Sequence, residues 1–143
     1  MNKVILDNSV IVKWYLQDEE SSDQAFKIFQ DLIDKKIILS EPYLIYYEFN
    51  NVINIAVKRG RIGIKDAINA IELFNSLPVI KYNFLDEHYK NIFKNAVDLG
   101  ISSYDSSYIS LAKEINTPFF TVDKDLITKC KSFSNNVRHI NEY

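Results

Sequence analysis

The sequence predicts an α/β fold, a three-layer α/β/α sandwich around a short, mostly parallel central sheet. Three observations predict it. Short apolar runs alternate with stretches of helical period, the pattern of a parallel sheet covered on both faces. The chain has 143 residues, which suits a single domain over 1–143. It is 47% hydrophobic with three Gly and three Pro, enough apolar surface for a core and little material for long loops.

The elements follow in order. Val4-Ile5-Leu6 reads as a buried strand stopping at Asp7. Ser9 is placed to cap a short helix through Leu16, and Asp18-Glu19-Glu20 end it in a turn. Ser21 or Ser22 opens an amphipathic helix with Ala25, Ile28, Phe29, Leu32 and Ile33 on one face. Ile37-Ile38-Leu39 is a second strand. Pro42 suits the start of a helix that runs to about Lys58 and stops near Gly60. A helix over about 64–77 turns Ala67, Ile68, Ile71 and Phe74 inward, and Pro78 stops it. Val79 to Tyr82 is strand three; a helix over about 87–99 ends at Gly100. Asp105 begins the next helix, with Tyr108, Ile109, Leu111, Ala112 and Ile115 at helical spacing. Phe119 to Val122 is a strand ending at Asp123. A last helix covers about 124–133, and Val137 to Ile140 forms a final edge strand.

Several chemistries are excluded early. A single cysteine, Cys130, rules out a disulfide framework and a Cys-based zinc site. Two distant histidines, His88 and His139, argue against a His-rich metal site or a His-relay hydrolase. No apolar stretch approaches the roughly 20 residues of a membrane span, and the first residues show no secretion signal. We therefore expect a cytoplasmic protein with no membrane partner. The balance of 17 Lys+Arg against 19 Asp+Glu, net −2, decides nothing about nucleic acid, because local patches matter more than the total.

Ligand sites in open α/β sheets lie beyond the carboxyl ends of the strands. Two predicted strands end there in Asp7 and Asp123. Glu48 shares a helical line with Leu44 and Val52, and Asp105 sits one turn before Tyr108 and Ile109. Each acid has a plain alternative: a turn after a strand for Asp7, a solvated helix face for Glu48, an N-cap for Asp105. Asp125 rivals Asp123. Their joint reading rests on electrostatic cost. Two carboxylates about 5 Å apart repel by roughly 3 kcal/mol at an effective dielectric near 20. Four such groups need protons or a cation among them, and an all-oxygen donor set suits Mg²⁺ or Mn²⁺. Such an ion polarises a phosphodiester and activates water without a Ser or His nucleophile.

Asp7-Asn8-Ser9-Val10-Ile11-Val12-Lys13-Trp14, Glu48-x-x-Asn51, Tyr104-Asp105-x-x-Tyr108 and Thr121-Val122-Asp123 resemble the PIN-domain nucleases. The opening stretch and the Lys58 to Gly63 segment (KRGRIG) look most like VapC-type toxins of prokaryotic toxin–antitoxin pairs. The resemblance covers essentially the whole chain. It implies a metal-dependent endoribonuclease with Mg²⁺ or Mn²⁺ held by Asp7, Asp105 and Asp123. Glu48 then binds metal or positions water, and Ser9, Thr121 and Asn51 fall at further positions of the family's site. It further implies products with a 5′-phosphate and a 3′-hydroxyl, dimers or higher oligomers, and a small antitoxin that blocks the site.

An RNA enzyme of this charge needs local cations. Lys13 is the best placed in sequence; Lys58, Arg59, Arg61 and Lys65 form the densest cluster, which reads equally as a solvated helix end. Trp14, Tyr15, Tyr46 and Tyr47 divide between core and partner surface in this reading, while His88, His139 and Cys130 read as structural. Two other classes stay open. One is a PIN-fold binding module without activity. The other is a phosphoryl-transfer or receiver domain, disfavoured because Ser occupies position 9 and no G-x-x-x-x-G-K-[ST] or G-x-G-x-x-G motif occurs.

Overall fold

The computed structural model describes residues 1–16 and 23–143. The expected turn at Asp18-Glu19-Glu20 and the cap at Ser21 or Ser22 lie outside the described residues. Five strands, β1 (Asn2–Leu6), β2 (Ile37–Pro42), β3 (Val79–Tyr82), β4 (Phe119–Thr121) and β5 (Val137–His139), form one sheet in the order β3-β2-β1-β4-β5. Every pairing in it is parallel, so "mostly parallel" sharpens to wholly parallel.

The helices are α1 (Asn8–Ile11), α2 (Asp23–Ile33), α3 (Leu44–Lys58), α4 (Ile64–Ser76), α5 (Asp86–Leu99), α6 (Ser103–Glu114) and α7 (Lys124–Cys130). The connections β1→β2→β3 carry α1 to α4, and the return β3→β4→β5 carries α5 to α7. Right-handed crossovers put the two groups on opposite faces of the sheet, which gives the three layers. The chain reverses its direction across the sheet between β1 and β4. That pair is the topological switch point, where an open α/β sheet leaves a crevice at its carboxyl edge.

The core explains why these runs became these elements. Ile5, Leu6, Leu39 and Phe119 are fully or almost fully buried in the three inner strands. On α3 the buried stripe is Ile45, Phe49, Ile53 and Ala56, and Phe49 meets Phe74 of α4 with ring centroids 4.5 Å apart. Tyr108 of α6 stacks on Phe119 at 5.5 Å.

Several sequence expectations shift. Strand β2 continues through Glu41 to Pro42, which pairs with Tyr82 and ends the strand instead of starting a helix. A proline is tolerated there because the end of a strand does not need its missing N–H. The short first helix is capped by Asp7, not Ser9, and gives way to a 3₁₀ turn over Val12–Trp14. Helix α6 starts two residues before Asp105, at Ser103, capped by Ser102. Ile33 and Ile68, expected to face inward, are exposed, since Ala25, Ile28 and Leu32 on α2 and Ala67, Ala70 and Phe74 on α4 fill the sheet side.

Candidate active site

Asp7 follows β1 and Asp123 follows β4, so the two flank the switch point. The Asp7 carboxylate is held by hydroxyls: Ser9 Oγ donates to Oδ2 at 2.9 Å and Thr121 Oγ1 donates to the same oxygen at 2.6 Å. Thr121 Oγ1 also accepts the Asp123 N–H at 3.0 Å, tying the β1 and β4 ends together. Ser9 and Thr121 thus both sit against the Asp7 carboxylate.

Glu48 projects from α3 at the edge of its buried stripe, half-buried like Leu44 and Val52 on the same line. Its Oε2 accepts a hydrogen bond from the hydroxyl of Tyr108. Asp105 occupies the third position of α6, where its Oδ2 accepts from Ser102 Oγ at 2.8 Å while its N–H donates to the same oxygen at 3.0 Å. Asp123 caps α7 through Oδ1, which accepts the Leu126 N–H at 3.0 Å. The plain capping role is therefore real for Asp123, whereas α6 is capped by Ser102 and Asp105 bonds that cap, and one carboxylate oxygen of each acid stays outside those bonds.

The acids lie within one another's field. Burial pushes the Glu48 carboxyl above its usual range; the Tyr108 hydrogen bond opposes this, and the charges of Asp7 and Asp105 add to it. Burial likewise raises Asp105, the Ser102 hydrogen bond opposes, and Asp7 and Asp123 raise it further. Among the described residues no three His, Cys, Asp or Glu side chains converge on one point closely enough to hold an ion as they stand. The donor set is nevertheless all oxygen, matching the chemistry of a hard divalent cation rather than zinc.

The sequence alone missed three participants. Glu41, beyond the Ile37-Ile38-Leu39 run expected as the strand, is fully buried; Oε1 accepts the Leu6 N–H at 2.8 Å and Oε2 has no partner among the described residues. Burial drives its carboxyl well above the usual range, and Asp7 and Glu48 add to the shift. Tyr108, placed in the core by its spacing, also aims its hydroxyl at Glu48. Lys129 pairs with Asp125 at 2.7 Å, and its charge lowers Asp105. Asp125 is exposed and engaged by Lys129 one turn along α7, whereas Asp123 caps the helix. No sequence signal distinguished Glu41 from a strand-terminal surface acid.

The remaining candidates are peripheral. Lys13 is half-buried in the 3₁₀ turn, while Asn51, Lys58, Arg59 and Lys65 are exposed along and beyond α3. His88 caps α5 by accepting the Leu85 N–H, and burial pushes the Cys130 thiol up to about 11. Both are structural, as read from the sequence.

Residues 4–131 match the family model of the PIN domain. The chain belongs to the PIN-domain family. One similar PIN protein is Ribonuclease VapC3 of Pyrobaculum aerophilum, 29% identical over 128 residues, which cover 89% of this chain and 94% of that protein. The crystal structure of PAE2754 from Pyrobaculum aerophilum superposes with a TM-score of 0.70 at 19% identity, covering 99% of this chain and 85% of that one. VapBC2 from Rickettsia felis, bound to a DNA fragment from its promoter, gives a TM-score of 0.65 at 14% identity, with 96% of both chains covered. At these identities the structural likeness is one of fold, and it extends the PIN architecture over nearly the whole chain.

Proposed function

We propose that this protein is a Mg²⁺- or Mn²⁺-dependent endoribonuclease, the toxin of a toxin–antitoxin pair, acting as a single nuclease domain over 1–143. What supports the reading is that Asp7 and Asp123 follow the two strands of the β1/β4 switch point, that the charges of Asp7 and Asp105 reach Glu48, and that those of Asp7 and Asp123 reach Asp105. Similarity to Ribonuclease VapC3 supports RNA as substrate, and the assembly seen in VapBC2 supports a small antitoxin partner.

In this reading Asp7, Asp105 and Asp123 hold the cation, with Glu48 as the remaining ligand or the group that orients water. Bound there, a divalent ion polarises the scissile phosphodiester and lowers the pKa of an attacking water. The protein's own work is positional. Ser9 and Thr121 fix the Asp7 carboxylate, Ser102 fixes Asp105, and Tyr108 fixes Glu48. Glu48, its carboxyl raised above the usual range by burial, is a stronger base than a solvated carboxylate. The products carry a 5′-phosphate and a 3′-hydroxyl.

Two surfaces fit the proposed partners. Tyr47 and Tyr104, 77% and 62% exposed, each precede a site acid and line one cavity of about 360 Å³ with Tyr43, Tyr82 and Tyr89. Such a surface suits stacking of unpaired bases, with Lys13 and Asn51 as further substrate contacts. Trp14, Tyr15, Leu73, Arg61, Asp66 and Asn69 line a groove of about 840 Å³, a mixed apolar and polar surface that suits an amphipathic segment of the antitoxin. Dimers or higher oligomers and a cytoplasmic setting complete the proposal.

The test is RNA cleavage in Mg²⁺ by Asp7→Asn and Asp105→Asn. Each loses activity by roughly 10²-fold or more while retaining its fold by circular dichroism. Full cleavage by either variant overturns the assignment. A fold that binds RNA but never cleaves it, with Mn²⁺ binding unaffected by Asp7→Asn, returns the reading to an inactive binding module.

A further inference from the structure

We infer that Glu41 is a positioning residue for the site: its side chain ties the end of β1, from which Asp7 projects, to the neighbouring strand β2. The inference rests on the reading of Asp7 as a site acid.

The β1–β2 ladder is registered only as far as Val4 opposite Leu39. On its other side, β1 stays paired with β4 to Leu6 opposite Phe120. The N–H groups of Ile5 and Asp7 both point to β4, donating to Pro118 and Phe120 at 2.9 Å each. Alternation along a strand turns the intervening Leu6 N–H toward β2, where the ladder has already ended. Glu41 Oε1 takes that N–H at 2.8 Å. A side chain here replaces the missing backbone acceptor.

The choice of a carboxyl group is costly. Glu41 is fully buried and its Oε2 has no partner among the described residues, so an apolar residue at this position would fill the space more cheaply if packing were all that mattered. What the acid supplies is a tie on the β2 side of Leu6, matching the tie from Asp7 N–H on the β4 side. The backbone entering the site is thereby fixed from both neighbours, and site groups tolerate displacement of only about 0.5 Å.

Two variants separate the tie from charge and from packing. Glu41→Gln keeps an acceptor oxygen at the same reach; Glu41→Met keeps the volume and removes it. Amide hydrogen exchange read by NMR needs no nuclease activity. In it, Glu41→Met speeds exchange at Leu6 by about tenfold or more relative to Ile5, and Glu41→Gln returns it to within about threefold. In the metal-binding and cleavage assays, Glu41→Met weakens Mn²⁺ binding by roughly 10-fold and lowers kcat with little change in KM, and Glu41→Gln recovers most of both. If Glu41→Gln is as impaired as Glu41→Met, the residue acts by charge and the inference fails. It fails equally if Glu41→Met matches the natural chain in exchange and Mn²⁺ binding. Should Glu41→Met not fold, the Glu41→Gln recovery alone decides. Altered exchange in Glu41→Met beside undiminished cleavage by Asp7→Asn would sink the reading of Asp7 as a site acid and leave the tie standing.

Discussion

Single hydroxyls govern this site. Thr121 bonds both the Asp7 carboxylate and the Asp123 N–H, so Thr121→Val removes two interactions with almost no change of shape. Groups that orient a ligand acid are worth roughly 10–100-fold in metal affinity or activity. Calorimetric titration of Mn²⁺ into Thr121→Val shows a loss in that range, against a stability cost of about 1 kcal/mol. Tyr108 acts on Glu48 differently. Burial raises the phenol far above its ordinary value, so it stays a protonated donor throughout the neutral range, and its hydrogen bond holds Glu48 down. Removing that bond in Tyr108→Phe lets Glu48 rise further, and the acid limb of the kcat/KM profile moves to higher pH. A profile that stays in place would show that Glu48 is not the group titrating in catalysis.

Helix ends carry the element-scale economy of the chain. Four of them, after α2, α3, α5 and α6, close with a left-handed residue: Lys35, Gly60, Gly100 and Asn116. In each, the N–H of the following residue bonds a carbonyl five positions back, as in Lys36 to Asp31 and Arg61 to Ala56, both at 2.9 Å. Glycine and asparagine adopt this backbone readily; Lys35, at φ 59°, is the strained member. Because Lys35 is exposed, Lys35→Gly relieves strain without loss of packing. The variant should be more stable by about 0.5–1 kcal/mol in urea denaturation. The element scale also explains how α6 serves the site: Ser102 caps the helix and the same hydroxyl orients Asp105, so folding the helix aims the acid.

Across the whole molecule, burial of acids, with their mutual charge added, couples stability to pH. Glu41, Glu48 and Asp105 all have folded-state values raised above their unfolded ones. The native chain then binds more protons than the unfolded chain, so this contribution favours folding at mildly acidic pH. It is lost as pH climbs from the ordinary carboxylate range through the raised values. Asp31 and Asp34, lowered by Lys36, work in the opposite sense but are solvent-screened surface pairs. Thermal melts without metal should therefore show a higher Tm near pH 5 than near pH 8. Mn²⁺ at about 100 times its Kd adds about 2.7 kcal/mol, roughly 5–10 °C in Tm, with a larger gain at pH 8 because protons no longer compete for the acids. A Tm indifferent to millimolar Mn²⁺ would count against a metal site.

Patterns along the chain already carried the layered α/β architecture, the order of its elements and the candidate acids: Asp7 and Asp123 at strand ends, Asp105 near a helix start and Glu48 on a helix face. These follow from local periodicity and from residues such as Asp7 and Asp123 that stand where apolar runs stop. Hydrophobic phase was less secure for Ile33 and Ile68, because a helix with apolar residues on two adjacent lines does not announce which one meets the sheet. The strand order that puts β1 beside β4, the burial of Glu41 and the approach of the Tyr108 hydroxyl to Glu48 were settled only on folding. The reason is physical. Periodicity along a chain reports which side of an element is apolar, whereas pairing across a sheet and hydrogen bonds between residues dozens of positions apart exist only once the layers have closed.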